Sequence, residues 1–168
     1  MRERHVLQDA RRDREFAAFV AGAAGRLLHA ATLLTAEAPE DNPRARRLLT
    51  RSLAHTYACW NRLHGDDPYD HARRQLALRF AHGDRHGPAG LLRPARPHPG
   101  SPLAALGRQE RLVVVLRFLE GVAEEQTAAV LGLSPERVRA LGARATETLL
   151  RRPSAAVTAV GGVRAVLS

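Results

Sequence analysis

The sequence contains no lysine and no isoleucine, one cysteine, and aromatic residues at only 4% of its 168 positions. Each scarcity excludes something. A single thiol, Cys59, rules out an internal disulfide framework and a cysteine-rich zinc site. Without isoleucine and with few aromatics, any core must be built from Leu, Val and Ala, which favours helices over a β-sandwich. No uncharged apolar run reaches the ~18 residues of a membrane span. The segment Met1–Arg14 is charged throughout, unlike a signal peptide. A cytoplasmic protein without membrane contact is expected. There is no glycine-rich phosphate loop and no nucleophile elbow, so neither an enzyme nor a cofactor is expected.

What the chain has is charge and apolar surface. Apolar residues make up 45%, enough to form cores. The net charge is +9, and all 26 basic residues are arginine. That bias fits a GC-rich genome as well as a binding role. The excess charge itself points to a polyanionic partner, foremost nucleic acid, against the plainer reading of a merely soluble basic protein.

A boundary lies at residues 87–102, where five prolines and three glycines interrupt any helix or central strand. The composition predicts an all-α protein of two small helical domains, 1–86 and 103–152, joined by this semi-extended linker and followed by a tail, 153–168. Apolar residues at helical spacing mark three helices in the first domain. One stripe runs Phe16, Phe19/Val20, Ala23, Leu27, Ala30/Ala31, Leu34. A second runs from Ala45 to Leu63, opened by Asn42 as cap and Pro43 in the first turn. A third carries Ala72, Leu76 and Phe80 after Asp67-Pro68, with Gly83 and Gly87 ending it. Trp60 and Tyr57 are expected as core anchors, and Cys59 as a half-buried, inert thiol.

In the second domain, Leu103, Leu106, Leu112/Val113, Leu116 and Leu119 predict one long apolar face. After Glu120-Gly121, residues 126–141 have helix-turn-helix spacing. Ala128 is small where two helices cross, and Gly132 suits a left-handed turn. Leu131, Leu133, Val138 and Leu141 fill the wedge. Ser134 and Pro135 open the second helix. That helix presents Glu136, Arg137, Arg139, Ala140 and Arg144 outward, a face that fits the major groove. An ordinary αα-hairpin with a solvated basic face is the alternative.

Here the chain resembles a known family. Leu103–Glu120 followed by this helix-turn-helix is similar to region 4 of the extracytoplasmic-function (ECF) sigma factors, in the sigma-70 family. Glu15–Val20, Leu27–Thr35, Ala45–Trp60 and Tyr69–Arg74 resemble region 2 of the actinobacterial type. The resemblance covers roughly residues 13–152. It implies a protein that directs RNA polymerase to promoters and binds DNA and core polymerase. Region 2 would dock on the β′ clamp helices through Arg46, Arg47, Thr50 and Arg51 and contact the −10 element through Arg73, Arg74, Arg79 and Phe80. Region 4 would read the −35 element and touch the β flap. An anti-sigma factor or another acidic protein is a further expected partner. The chain departs from the family pattern at Arg46-Arg47, where the family has acid and amide groups, and at Ala123, where a capping serine is usual. A sigma-like DNA-binding regulator that has lost promoter melting, and an unrelated helix-turn-helix regulator, are the alternatives. Eight histidines raise a metal site. His82 and His86 are four apart, and His71 and Cys59 are a second candidate pair, but Gly83 and Gly87 interrupt the helix that would align the first pair and no second close ligand pair exists, so no metal is expected.

Overall fold

A computed structural model describes residues 2–63, 65–83 and 97–151. Most of the linker and the tail from residue 152 therefore lie outside the described residues. All regular structure among these residues is helical: α1 (Arg2–Thr35), α2 (Pro43–Cys59) with a 3₁₀ turn at Trp60–Arg62, α3 (Pro68–His82), α4 (Arg108–Val114) running into a π-turn at Val115–Leu119, α5 (Glu124–Leu131) and α6 (Pro135–Leu150). The all-α expectation holds.

The first three helices bury the stripes that their spacing announces. Leu27, Ala30, Ala31 and Leu34 of α1 pack with Ala45 and Leu49 of α2 and with Ala72 and Leu76 of α3. Part of α1 is apolar enough to pass for a membrane span, but its core-facing residues are occupied by these neighbours. Tyr57 and Trp60 are half-buried, and their rings meet Phe16 at 5.0 and 5.2 Å. They anchor the end of α2 to the middle of α1.

The α1–α2 corner differs from the sequence expectation. Asn42 makes no side-chain cap for α2; its amide instead donates to the Thr32 hydroxyl and the Pro39 carbonyl. The cap comes from Glu37. One carboxylate oxygen accepts from the Arg44 backbone N–H at 3.0 Å, the other from Ala45 N–H at 2.7 Å and from the Thr35 hydroxyl at 2.9 Å. A carboxylate here satisfies two orphan donors and faces the positive end of the helix. Burial opposes the charge on Glu37, but the bonds from Arg44, Ala45 and Thr35 outweigh it and hold the carboxyl below its ordinary value. Since the folded state prefers the ionised form, this stabilisation is complete above about pH 4.5 and is lost as pH falls further. Glu37→Ala should cost about 2 kcal/mol at pH 7. The gap from wild type should close on acidification, as measured by urea unfolding at a series of pH values.

The two halves of the sequence share one core. Leu103, Leu106, Leu112, Val115 and Leu116 join the cluster formed by α1–α3. Polar contacts follow the same seam. Arg111 Nη1 donates to the Leu34 carbonyl at 2.8 Å, and Arg44 Nη2 to the Thr35 carbonyl at 2.9 Å, so two cations cover the negative end of α1. The His98 N–H donates to the Ala36 carbonyl at 2.8 Å, which ties the described end of the linker to the α1–α2 corner.

The apolar face expected from Leu103 to Leu119 is interrupted. Leu112, Val113, Val115 and Leu116 are buried, whereas Leu119 is 37% and Phe118 64% exposed. The π-turn explains this: its wider turn changes the angular register, so a position that a 3.6-residue period would bury rotates outward.

Candidate nucleic-acid interface

The helix-turn-helix is assembled by a small core of its own. Val113 of α4, Ala128 of α5 and Val138 and Leu141 of α6 are buried together, with Leu131 and Leu133 against them. The turn follows its sequence. Gly132 sits at φ 65°, a left-handed conformation that side-chain-bearing residues rarely adopt, and the Leu133 N–H returns to the Ala128 carbonyl at 3.0 Å. Ser134 caps α6, its hydroxyl accepting from the Arg137 N–H at 3.2 Å, and Pro135 occupies the first turn. Gly142 is buried against Val113 and Phe118, and a Cβ there would meet them at ordinary contact distances of 3.6 and 3.9 Å.

Helix α5 is less well finished. Ala123 occupies the cap position in an extended conformation and offers no side-chain acceptor. Ala123→Ser should add about 1 kcal/mol, seen as a higher urea midpoint with an unchanged slope.

The core leaves one face of α6 open. Glu136, Arg137, Arg139, Ala140 and Arg144 are all exposed, on the side away from Val138, Leu141 and Ala145. Their electrostatic states differ. Arg139 Nη2 lies 2.7 Å from a Glu124 carboxylate oxygen, and Arg144 Nε 3.7 Å from Glu110. Arg137 has no carboxylate partner among the described residues. Its guanidinium is therefore available to a phosphate or a guanine edge without breaking an ion pair. Glu136 accepts from its own backbone N–H and from the Ser134 hydroxyl, which keeps its carboxyl below the ordinary range and ionised.

Arg46, Arg47, Thr50 and Arg51 lie together on the exposed face of α2. The Arg46 Nε donates to the Asn42 side chain at 2.9 Å, and the Thr50 hydroxyl to the Arg46 carbonyl. Among the described residues no carboxylate pairs with this face, which is a compact patch of three cations.

The third expected set is not brought together as a surface. Arg73 is mostly covered and bound to Asp70 at 2.8 Å, with Glu120 at 3.8 Å. Phe80 packs on the shared core beneath Arg108, whose guanidinium lies 5.4 Å from its ring centre. Arg79 is half-buried and its Nε has no hydrogen-bond partner. Only Arg74 of the four is exposed.

Two features escaped sequence reasoning. The first is Glu120. Its side chain is fully covered, and one oxygen accepts from the Tyr69 hydroxyl at 2.9 Å and lies 3.2 Å from Arg26 Nη2. Burial and the bond to Glu120 both push the Tyr69 phenol far above its ordinary value, so it stays a neutral donor. Nothing in the local pattern distinguishes this acid from others at a helix break, because its partners lie 51 and 94 positions away in sequence. The second is His55, which shares a face with Cys59 on α2 and meets His71 of α3. The i, i+4 spacing of His55 and Cys59 was the available signal. Cys59 is half-buried, as expected.

Residues 103–149 match the family described as sigma-70, region 4. The match spans α4, α5 and α6, so this segment is similar to region 4 of the sigma-70 proteins, a DNA-binding family. No curated protein and no solved structure matches the chain.

Proposed function

We propose that the protein is a sigma factor of the ECF type, which carries core RNA polymerase to a set of promoters in the cytoplasm. The observation that bears most weight is the coincidence of the region 4 match with an open arginine face on α6. Arginine at such a face serves two purposes. Contacts to phosphates release counterions and supply affinity, and a bidentate contact to guanine supplies discrimination. The −35 element is the natural target of α6, and the β flap a second contact of the same module. The first half then supplies the docking surface for the β′ clamp and the contacts to the −10 element. In the packed arrangement, Arg73 and Phe80 are engaged at the junction with α4–α6. Reaching −10 DNA with them requires the two halves to separate, and polymerase binding would supply the free energy for that step. An anti-sigma factor would oppose it by holding the halves together or covering α2.

One observation favours a second reading. The α2 face carries Arg46, Arg47 and Arg51, where the resembling family has acid and amide groups. Three cations against a basic clamp repel, and such a surface suits an acidic protein instead. On this reading the chain is a sigma-like regulator that binds DNA but does not open promoters. Arg47→Asp separates the two. If docking on the clamp has decayed, Arg47→Asp should tighten binding to core polymerase by about tenfold, measured by titrating labelled chain with the enzyme. If wild type binds tightly and Arg47→Asp abolishes the complex, the basic face is itself the contact.

A further inference from the structure

We propose that His55, Cys59 and His71 form a binding site for a zinc-class divalent cation, with water in the fourth position. The site does not depend on the promoter reading and involves none of the residues assigned to DNA or polymerase.

The geometry is the first argument. His55 and Cys59 lie one helical turn apart near the end of α2, and His71 sits in the first turn of α3. Their ligating atoms all lie within 4.8 Å of one another. The Cys59 sulfur is 3.8 Å from His55 Nε2. Tetrahedral zinc with ordinary bond lengths places a sulfur and a nitrogen ligand about 3.6 Å apart, and two nitrogens about 3.3 Å apart. The two imidazole rings are parallel, with centres 5.7 Å apart. Small rotations about the side-chain bonds therefore bring the three donors onto one centre, without backbone movement.

The second argument is an unsatisfied atom. His71 Nε2 is buried and has no hydrogen-bond partner. Buried polar atoms are normally paired, and an orphaned imidazole nitrogen beside another imidazole and a thiol lacks only a metal or a proton donor.

The donor set selects the ion. One thiolate and two imidazoles suit zinc and its neighbours, not magnesium or calcium, which require oxygen ligands. Arg62 Nη2 lies 3.4 Å from the Cys59 sulfur. Charges nearby act in both directions: Asp66 favours a cation, whereas Arg62 and Arg74 oppose it. Cys59 is the sole cysteine, so no internal disulfide competes. Once bound, the ion would clamp the end of α2 to the start of α3, the corner from which the basic face of α2 is presented.

The test uses the full chain, stripped of metal, with Co²⁺ as the spectroscopic probe. The expected result is one Co²⁺ per chain, with a thiolate-to-metal band in the near ultraviolet and the visible bands of a tetrahedral ion, all displaced by Zn²⁺. His71→Asn and Cys59→Ser should each weaken binding by at least about 100-fold, since even outer-shell changes at such sites cost roughly 10–100-fold. His82→Asn should bind as wild type. A second readout needs no variant. Zn²⁺ should slow alkylation of Cys59 in the wild-type chain at least tenfold. Spectra without the thiolate band, binding that survives His71→Asn, or alkylation indifferent to Zn²⁺ would each overturn the assignment.

Discussion

Glu120→Ala should lower the unfolding free energy of the full chain by about 3 kcal/mol at pH 7, the lower end of the range for breaking a buried ion pair. The carboxylate is fully covered, yet one of its oxygens carries every contact: the Tyr69 hydroxyl, Arg26 and Arg73. Its other oxygen, Oε1, is buried without a partner, so the native state already bears a desolvation cost. That cost is why the lower end of the range applies. Removing the carboxylate leaves the Tyr69 phenol unpaired in the seam between the two halves of the chain, while Arg73 keeps Asp70 at 2.8 Å. Arg26 loses less, being 57% exposed and able to turn to water. Glu120→Gln keeps an acceptor for Tyr69 and should lose about half as much. Urea unfolding measures both. A loss below about 0.5 kcal/mol in Glu120→Ala would show that the junction contributes nothing in solution.

Arg137→Ala should weaken binding to a duplex enriched from a random pool by the full chain about 10–100-fold. Arg139→Ala should cost less. The difference follows from their present partners. Arg137 has none among the described residues, so its interaction with DNA is gained without loss. Arg139 must give up Glu124 at 2.7 Å, an exposed pair worth at most about 1 kcal/mol, and that exchange reduces its net contribution. Salt dependence separates the roles. If Arg137 touches only a phosphate, Arg137→Ala should reduce the salt slope by about one and weaken all sequences alike. If it reads guanine, the loss should concentrate at one base pair. Anisotropy titrations at several salt concentrations distinguish these outcomes. Equal affinity of both variants and wild type would contradict the assignment of α6.

Local signals proved legible. Ser134-Pro135, Gly132 and the Ala128–Val138–Leu141 wedge each act within one or two turns, and each occupies its expected role. The stripes of α1, α2 and α3 were equally readable, because burial on one face imposes the helical period directly on the sequence. What failed depended on distance or on departures from that period. Leu119 was assigned inward from a 3.6-residue repeat that the π-turn breaks. Asn42 was read as a cap by its position before Pro43, yet Glu37 reaches the helix end from the preceding corner. The Glu120 junction and the place of His55 beside Cys59 and His71 arise from packing between elements, whereas the nearness of His71 to Cys59 was already raised by the sequence. The sites themselves divide in the same way. The α6 face is legible because exposure on a helix is the complement of its buried stripe. The covered state of Arg73 and Phe80 is not, because it depends on where α4–α6 settles against α3.

The central claim is that this chain directs polymerase to promoters. Its most direct test is transcription by core RNA polymerase on fragmented genomic DNA from the source organism, with and without the full chain. The account predicts transcripts that appear only when the chain is added, whose start sites share a sequence about one −35 distance upstream, and that Arg137→Ala diminishes. Absence of such transcripts, with no complex between chain and core polymerase although the chain still binds duplex DNA, would contradict it.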